Sequence, residues 1–524
     1  MFEAYVAGSA DALYGTHFAR LADWDRASRV ARPLEPRLAA ALEAQNAVYE
    51  KSPARDAHLR ALRSGACAVV TGQQTGLFLG PLYTLYKAAA AIRLARWLAE
   101  RWKAPVVPVF WLQTEDHDAA EIAVCHIARG ADHPLTLTLP VAEESVSVAH
   151  RLLPDEVSLL LTELAAAVAS LPHGDEHVAT LSRHYRPGAG WGAAFAGVLA
   201  SLFAEEGLVL VDPRDPALAP LAAPVHRRAL EASASIAQAL VERAEALEAS
   251  GFHAGVHVRP GAPLSFFHPQ GPRAHRSRLA EAPGGFVEIG GARTRTLPEL
   301  LDALDRSPAS FTTSALLRPI LQDTWLPTIA YVGGPAEVAY FAQLQPVYGL
   351  FDVAMPIVVP RTQLRLVERP TRLALARRGL TAAEAIKPFD EAITLTLPAL
   401  SAASDGERLT QRLVAGIDGM LDAAAPEVAA AGERAVQALE KTRKTMLFSA
   451  GKLGQSLDKA ILLRDRETVS DLEMIRSRLL PRGVPQERFF APASFAARYG
   501  ERAFIDRILA AAEPLRTGFH DVIL

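Results

Sequence analysis

The sequence predicts an α/β protein in which a doubly wound parallel sheet with insertions is followed by a mostly helical part. Three observations support this prediction. An apolar run at 66–71 indicates a short buried strand that leads into a glycine-rich segment and a helix, and a second apolar strand follows at Val106–Leu112. A strand, a helix and a strand in this order open a βαβ unit, which builds parallel sheets. From Ser404 onward, helical periodicity replaces this alternation.

The composition is that of an ordinary globular protein. The 524 residues suggest about three domains, and 50% hydrophobic with 22% charged residues exclude wholesale disorder and collagen-like chains. A net charge of −3 does not indicate a nucleic-acid partner. No uncharged apolar run reaches the ~18–20 residues that span a bilayer, and the N-terminus lacks a signal-peptide pattern. We therefore expect a cytoplasmic protein with no nucleic-acid or membrane partner.

Further elements follow from the pattern in chain order. Residues 1–64 predict a helical lead-in. Residues 82–101, rich in Ala, Leu and Arg, predict a long helix that begins just after Pro81. Later strands, with helical stretches between them, are predicted at 207–212, 328–332 and 355–359.

Two segments interrupt this core pattern. Residues from about 130 to 190 and from about 250 to 310 hold most of the short alternating runs and many Gly, Pro and His residues. We interpret both as insertions between core strands.

The first segment suited to chemistry runs from Thr71 to Lys87. Glycines after a strand let the backbone approach a ligand closely, and the N-terminus of the following helix suits a phosphate or a carboxylate. Two adjacent amides, Gln73 and Gln74, favour a binding function. The segment matches neither the Walker A pattern nor G-x-G-x-x-G, which disfavours a P-loop enzyme or an ordinary dehydrogenase. The alternative is a tight strand–helix turn packed by residues 77–79.

The second segment is Glu115, Asp116, His117 and Asp118, which follows the second strand where open α/β sheets bind ligands. Three carboxylates beside an imidazole suggest a nearby cation or ligand, and one or two of them would suit Mg²⁺ with substrate phosphates better than a structural Zn²⁺. Asp118 and Glu121 also have the spacing of a capping box. We predict that Asp118 caps the next helix while Glu115, Asp116 or His117 faces a cleft. The imidazole could serve as acid, base or hydrogen-bond donor.

The third segment joins Arg318 to a second glycine turn. Arg318 lies among apolar residues and could clamp a carboxylate or phosphate, whereas a buried ion pair with Asp323 is an equal alternative. Gly333 and Gly334 follow the predicted strand at 328–332 and precede a helix, as in the first segment. Two such turns could face one cleft.

The C-terminal part carries a short heptad seam, which is compatible with a coiled coil within one chain or between two chains. An amphipathic helix packed on its own core is the alternative. The seam positions are Val436, Ala450 and Leu457 at a, and Leu439, Met446, Leu453 and Ala460 at d.

These segments belong to an ordered set of motifs that spans nearly the whole chain. Its members are Thr71–Phe78, Gly80–Lys87, Phe110-Trp111 with Glu115–Asp118, Leu317–Pro319 with Gln322-Asp323, Tyr331–Pro335 with Glu337, Ala339 and Tyr340, Leu480–Gly483 with Gln486–Arg488, and Tyr499-Gly500. Each motif alone is weak. The ordered set resembles the BshC family, the cysteine ligases of bacillithiol biosynthesis.

The resemblance implies a Rossmann-like core similar to class I aminoacyl-tRNA synthetases and nucleotidyl transferases, with a C-terminal coiled coil and a homodimer. The core would span 1–370 and the helical coiled-coil domain 371–524, with its last segment returning to the core. The implied reaction joins cysteine to glucosaminyl malate. ATP or another nucleotide is a candidate cosubstrate, and a metal requirement stays open. Where the synthetases carry a histidine signature, this chain has Gly80–Tyr83, so adenylate stabilisation by two histidines is not expected.

On this basis we expect both small-molecule substrates to bind at the carboxyl edge of the sheet. Asp116 or His117 would assist deprotonation of the amine, and Arg318 would hold a carboxylate. The expected substrate-binding residues are Gln73, Gln74, Gly76, Gly80, Tyr83, Lys87, Glu115, Asp118, Gln322, Gly333 and Gly334. Two alternatives remain: a nucleotidyl or aminoacyl transferase that acts on another amine, and a non-catalytic coiled-coil scaffold.

Overall fold

The computed structural model describes residues 1–129, 133–141, 146–256, 258, 261–289, 293–396 and 404–524. The strands are β1 (Cys67–Gln73), β2 (Val106–Leu112), β3 (Val124–Ile127), β4 (Leu135–Thr138), β5 (Val209–Val211), β6 (Ser265–Phe267), β7 (Ser277–Ala282), β8 (Gly285–Glu288), β9 (Thr294–Arg295), β10 (Phe311–Thr313), β11 (Thr328–Gly333), β12 (Ile357–Pro360), β13 (Gln363–Val367) and β14 (Phe519–Ile523).

The helices of the first 364 residues are α1 (Phe2–Val6), α2 (Leu21–Ala27), α3 (Pro36–Ala47), α4 (Pro53–Arg63), α5 (Tyr83–Trp102), α6 (Ala119–Ile122), α7 (Val157–Val168), α8 (Gly174–His184), α9 (Trp191–Leu202), α10 (Ala219–Glu231), α11 (Ser233–Ala249), α12 (Leu297–Arg306), α13 (Arg318–Trp325) and α14 (Pro335–Leu350). Those that follow are α15 (Arg369–Arg378), α16 (Ala382–Ala385), α17 (Phe389–Thr394), α18 (Asp405–Ala430), α19 (Glu433–Leu462), α20 (Arg466–Leu479), α21 (Gln486–Phe489), α22 (Ala493–Tyr499) and α23 (Glu501–Ala511). Among the described residues, no helix is both long and apolar enough to cross a membrane.

The chain forms two compact units. Unit 1 comprises residues 1–364 and 487–520, and unit 2 comprises residues 365–486 and 521–524. The predicted helical lead-in, the predicted strands and the long helix after Pro81 are all present in unit 1.

A parallel sheet with the strand order β12-β11-β1-β2-β5 forms the centre of unit 1. On the central strand, Val70 pairs with Val109 of β2 and with Tyr331 of β11. Every residue of β2 is buried, because helices cover both faces of the sheet and leave no polar face for alternation. The predicted α/β fold with a parallel sheet is therefore confirmed.

The strand order locates a binding crevice before any side chain is considered. From β1 the chain proceeds to β2 and β5 on one side, whereas β11 and β12 lie on the other side. Ligands of open α/β sheets bind beyond the carboxyl ends of the strands where the order reverses. Here that point lies at the ends of β1 and β11.

The two segments that interrupt the core pattern add different structures. The first contains β4, which pairs antiparallel with the preceding β3, and the helices α7 and α8. The second contains β6 to β9, which join the following β10 in an antiparallel sheet of the order β10-β6-β7-β8-β9. Helix α12 packs on this sheet through Leu300 and Leu304. This second sheet carries arginines to the crevice.

In unit 2, α18 and α19 pair along their length as two helices of one chain. Asp458 accepts hydrogen bonds from Ser404 Oγ at 2.6 Å and from the backbone N–H of Gly406 at 2.7 Å, and a Cβ on Gly454 would lie 2.5 Å from the Gly406 carbonyl oxygen. The paired face of α19 therefore contains Gly454 and Asp458. Of the predicted seam, Ala450 is buried whereas Leu453 is exposed. Backbones this close leave no room for leucine between them.

Candidate active site

A cavity of about 440 Å³ opens where β1 and β11 end. Its wall combines residues from the strand ends of the parallel sheet, from the second inserted sheet and from the starts of α13 and α14. The predicted site residues that line it are Gln73, Gln74, Tyr83, Lys87, Glu115, Asp116, Arg318 and Gly334. We call it the main cavity.

The other predicted residues lie around this cavity. Gly76 and Gly80 line a smaller neighbouring cavity. His117, Asp118, Gln322 and Gly333 line neither of the two, although each touches or adjoins a residue that does. The structure thus gathers the predicted segments at one edge of the sheet.

The glycine loop after β1 is a close-packed turn. A Cβ on Gly76 would lie 2.7 Å from Gly80 Cα, so neither position tolerates a side chain. Between them, Phe78 and Leu79 adopt positive φ angles of 49° and 74°. Trp191 Nε1 donates to the Thr75 carbonyl oxygen at 2.6 Å, which anchors the loop on α9. The tight-turn alternative is therefore realised, and the turn also shapes a cavity wall.

Lys87 determines how Gln73 faces the main cavity. Its Nζ donates to Gly72 O at 2.7 Å, to Gln73 Oε1 at 2.9 Å and to the Glu337 carboxylate. Because an ammonium group can only donate, Gln73 must direct its Nε2 away from Lys87, and this nitrogen lies 3.3 Å from the Tyr83 hydroxyl. Gln73 therefore offers an N–H donor to the cavity.

Glu337 binds Lys87 from the first turn of α14. It also accepts from Tyr331 OH at 2.5 Å and from the backbone N–H of Gly334 at 2.8 Å. Burial by itself would raise the pKa of Glu337, but Lys87 and these donors bring it below its usual value. The ion pair ties α5 to α14 beneath the main cavity.

Gln74 binds two carboxylates through its amide nitrogen. Its Nε2 donates to Asp116 Oδ2 and to Glu121 Oε2, each at 2.8 Å. Burial by itself would raise the pKa of Asp116, but Gln74, the backbone N–H of His117 and Arg276 bring it below its usual value. Asp116 is therefore an ionised acceptor at the cavity wall, able to bind a protonated amine.

His117 is held outside the main cavity by Arg276. Arg276 Nη2 donates to His117 Nδ1 at 2.6 Å and lies 3.6 Å from Asp116 Oδ1, while the guanidinium stacks 4.3 Å from the centre of the Phe266 ring. Burial and the charge of Arg276 lower the pKa of His117. The imidazole is therefore neutral with its proton on Nε2, and it orients Arg276 against Asp116.

Glu115 and Asp118 have local partners that define their parts in the structure. Both oxygens of Glu115 accept hydrogen bonds from Thr313, and burial raises its pKa. Asp118 Oδ1 accepts from the backbone N–H of Glu121 at 3.1 Å, as an N-cap of α6. The predicted cap is confirmed, but the Glu121 side chain binds Gln74 rather than completing a capping box.

Arg318 does not form a direct ion pair with Asp323. Its Nη1 donates to Gln322 Oε1 at 2.8 Å, and Gln322 Nε2 donates in turn to Asp323 Oδ1 at 2.7 Å. Its Nη2 donates to Tyr340 OH at 2.8 Å. Gln322 thus orients the guanidinium from behind while Arg318 reaches the main cavity.

The main cavity contains more cations than its carboxylates neutralise. Arg361 forms a buried two-point ion pair with Glu487, at 2.9 and 2.6 Å. The side chains of Arg278 and Arg488 line the cavity and form no hydrogen bond or ion pair within the described part of the chain. These two arginines can therefore bind an anionic ligand without breaking an existing pair.

Sequence reasoning did not select Arg276, Arg278, Arg361 or Arg488. Each comes from a segment distant in sequence from the glycine loop, and arginine is common along the chain, so no local pattern marks these four. Only Arg488 belonged to a quoted motif. No group of three or more His, Cys, Asp or Glu side chains in the described ranges is arranged to hold a metal ion.

Comparison with protein families gives two matches that together cover nearly the whole chain. Residues 1–362 match the model described as "Bacillithiol biosynthesis BshC, N-terminal Rossmann-like domain". Residues 364–524 match "Bacillithiol biosynthesis BshC, C-terminal coiled-coil domain".

Curated relatives named "Putative cysteine ligase BshC" are similar over most of their length. The protein from Solibacter usitatus is 35% identical over 470 residues, which cover 88% of this chain and 84% of the relative. That from Koribacter versatilis is 35% identical over 474 residues, covering 88% and 85%. The Salinibacter ruber protein is 32% identical over 475 residues, covering 89% and 84%.

Proposed function

The chain belongs to the BshC family of bacillithiol biosynthesis, and we propose that it is the ligase that joins the carboxyl group of cysteine to the amine of glucosaminyl malate. The observation that carries the assignment to the main cavity is its charge distribution. The ionised carboxylate of Asp116 lies in the same cavity as Arg278, Arg318 and Arg488. A sugar amine that also carries two carboxylates has the complementary charges.

We assign the amine to Asp116 and the malyl carboxylates to the arginines. Asp116 accepts a hydrogen bond from the amine, and the neighbouring Arg276 and His117 hold it in place. Arg318, oriented by Gln322, is positioned to bind one carboxylate. Arg278 has unused donors for the other. Two-point contacts between guanidinium and carboxylate suit this recognition.

The bond-forming step needs little from the protein beyond orientation and proton transfer. The amine nitrogen attacks the activated carbonyl carbon of cysteine, the C–N bond forms and the bond to the leaving group breaks. The ammonium nitrogen of the tetrahedral intermediate is more acidic than a free alkylammonium group, so transfer of its proton to a carboxylate is less unfavourable than from the free amine. Asp116 is the acceptor we assign, and the N–H of Gln73 faces the same space.

We propose a nucleotide such as ATP as the cosubstrate that activates the cysteine carboxyl group. Amide formation from a free carboxylate releases water, so the oxygen must leave on a better leaving group, which a phosphate or nucleotide supplies. Arg488, which neither malyl carboxylate uses, suits such a phosphate. Reactions that contain one nucleotide each, with mass spectrometry of the product, identify the cosubstrate. The same reactions with and without added Mg²⁺ test for a metal requirement.

We further propose that the protein works in the cytoplasm as a homodimer joined through α18 and α19. Phe448 and Leu453 project from α19 with 65% and 54% of their surfaces exposed. Large apolar side chains exposed on one helical pair favour contact with another copy. Sedimentation of the full-length chain distinguishes a dimer from a monomer.

The experiment for the catalytic assignment measures amide formation from cysteine, glucosaminyl malate and nucleotide by the purified protein. We expect Asp116→Asn to lower kcat by about 10²-fold or more, the usual scale for a lost acid–base group. Asp302→Asn, which removes an exposed carboxylate on α12, is the matched control. Normal turnover by Asp116→Asn would remove Asp116 from the mechanism, and product formation only with other amines would favour a different transferase.

A further inference from the structure

The smaller cavity beside the main one has a volume of about 210 Å³, less than half that of the main cavity. The two share a wall formed by Gln73, Gln74, Tyr83, Glu121 and Arg488. Ligands in the two cavities would therefore both contact these five residues and lie next to each other.

The shared wall carries one negative and one positive group. Glu121 Oε2 is bound by Gln74, and its Oε1 has no hydrogen-bond partner within the described part of the chain. Arg488 likewise lacks an ion-pair partner there and is exposed. An ammonium and a carboxylate on the same small molecule, as in an α-amino acid, match this pair of charges.

Beyond the shared wall, the smaller cavity is lined partly by buried apolar side chains and glycine backbone. Ile122 and Cys125 line it together with Gly76 and Gly80, whose backbones already touch. Burial raises the pKa of the Cys125 thiol to about 12, so its sulfur stays neutral and presents a polarisable surface. These buried residues suit a short side chain with a neutral sulfur better than a charged or long one.

We infer that the smaller cavity binds the amino-acid substrate, cysteine, with its ammonium and carboxylate at the shared wall and its thiol among Ile122, Cys125 and the two glycines. This inference rests on the proposed function for the identity of the amino acid. The larger sugar–malate occupies the main cavity, and the two reacting groups meet at the wall that the cavities share. Tyr83 and Gln73 lie between them.

A titration of the full-length chain with L-cysteine tests the site without turnover. Val124 lines the smaller cavity only, and Val124→Trp fills it. We expect this variant to weaken cysteine binding by at least about tenfold. Leu159→Trp, which adds the same side chain at an exposed position of α7, is the control and should bind as the wild type does.

A second variant protects the test against misfolding. Glu121→Gln keeps a residue type that is accepted at the third position of a helix but removes the charge opposite the ammonium. It should also weaken cysteine binding while the thermal unfolding midpoint is retained. Wild-type cysteine affinity in both Val124→Trp and Glu121→Gln, or no cysteine binding by the wild type with glucosaminyl malate present, would overturn the inference.

Steady-state kinetics separate this inference from the proposed function. Val124→Trp should raise KM for cysteine and leave KM for glucosaminyl malate unchanged. Arg278→Met, which changes the main cavity but not the smaller one, should do the reverse. If amide forms but the two variants do not change the two KM values in this opposite way, the cysteine subsite is refuted and the proposed ligase function stands. If cysteine binds and both variants weaken its binding as expected, but no amide forms, the ligase function is refuted and the cysteine subsite stands.

Discussion

Replacement of Lys87 by Met should destabilise unit 1 strongly, because it leaves Glu337 without its cation. Lys87 is 3% exposed and donates to three oxygens, and Met fills nearly the same volume without any donor. The remaining partners of Glu337 are Tyr331 OH and the backbone N–H of Gly334.

The magnitude follows from burial. Removal of one partner from a fully buried ion pair costs about 3–5 kcal/mol. Glu337 keeps 16% of its side-chain surface exposed at the cavity, so some water reaches the carboxylate and the lower end applies. We expect the free energy of unfolding to fall by about 3 kcal/mol.

Urea unfolding followed by tryptophan fluorescence measures this loss, since the buried Trp111 and Trp191 lie in unit 1. The double variant Lys87→Met/Glu337→Gln removes both charges and should lose about 2 kcal/mol less than the sum of the two single variants. A cost below about 1 kcal/mol for Lys87→Met, or single effects that simply add, would refute a stabilising ion pair between Lys87 and Glu337.

Three further outcomes are expected from local geometry. Gly454→Ala should lower the unfolding midpoint of unit 2 because its Cβ would meet Gly406, whereas Gly451→Ala, on the same helix with open space around it, should raise stability by about 0.5–1 kcal/mol. Burial raises the pKa of Asp323 to about 6, so its protonation stabilises the fold at acid pH, and this contribution is lost as pH rises from about 4 through about 6. Asp323→Asn should remove that pH dependence from the stability measured by urea unfolding. The same pH dependence in the variant and the wild type would contradict the prediction. Cys67 and Cys125 are buried with raised pKa values, so a thiol reagent at pH 8 should label the native chain only slowly and the urea-unfolded chain fully.

The local patterns were most informative where one segment builds a whole element. The predicted strand at Val106–Leu112 has the bounds of β2, and the helix predicted at 82–101 differs from α5 by one residue at each end. Both are long apolar or strongly periodic runs, for which burial on every side leaves little choice of structure.

In α19 the sequence predicts the helix correctly but does not determine which of its faces packs against α18. The heptad pattern placed Ala450 and Leu453 in the seam. Ala450 is buried, but Leu453 is exposed, and Gly454 and Asp458 face α18 in its place. Periodicity reports which residues are apolar. It does not report that two glycine-containing helices can approach until their backbones touch, and this approach decides which face packs.

The sequence by itself determined the parallel α/β core, the coiled coil and the strand ends at which polar residues gather, because these depend on burial and on spacing along one segment. Only the tertiary structure decided which side chains share a cavity. It turned His117 outward onto Arg276, placed Gln322 between Arg318 and Asp323, and brought Arg278 from the inserted sheet to the same wall. Such contacts join residues far apart in sequence, and their choice depends on close packing and on the pairing of buried charges across the whole unit.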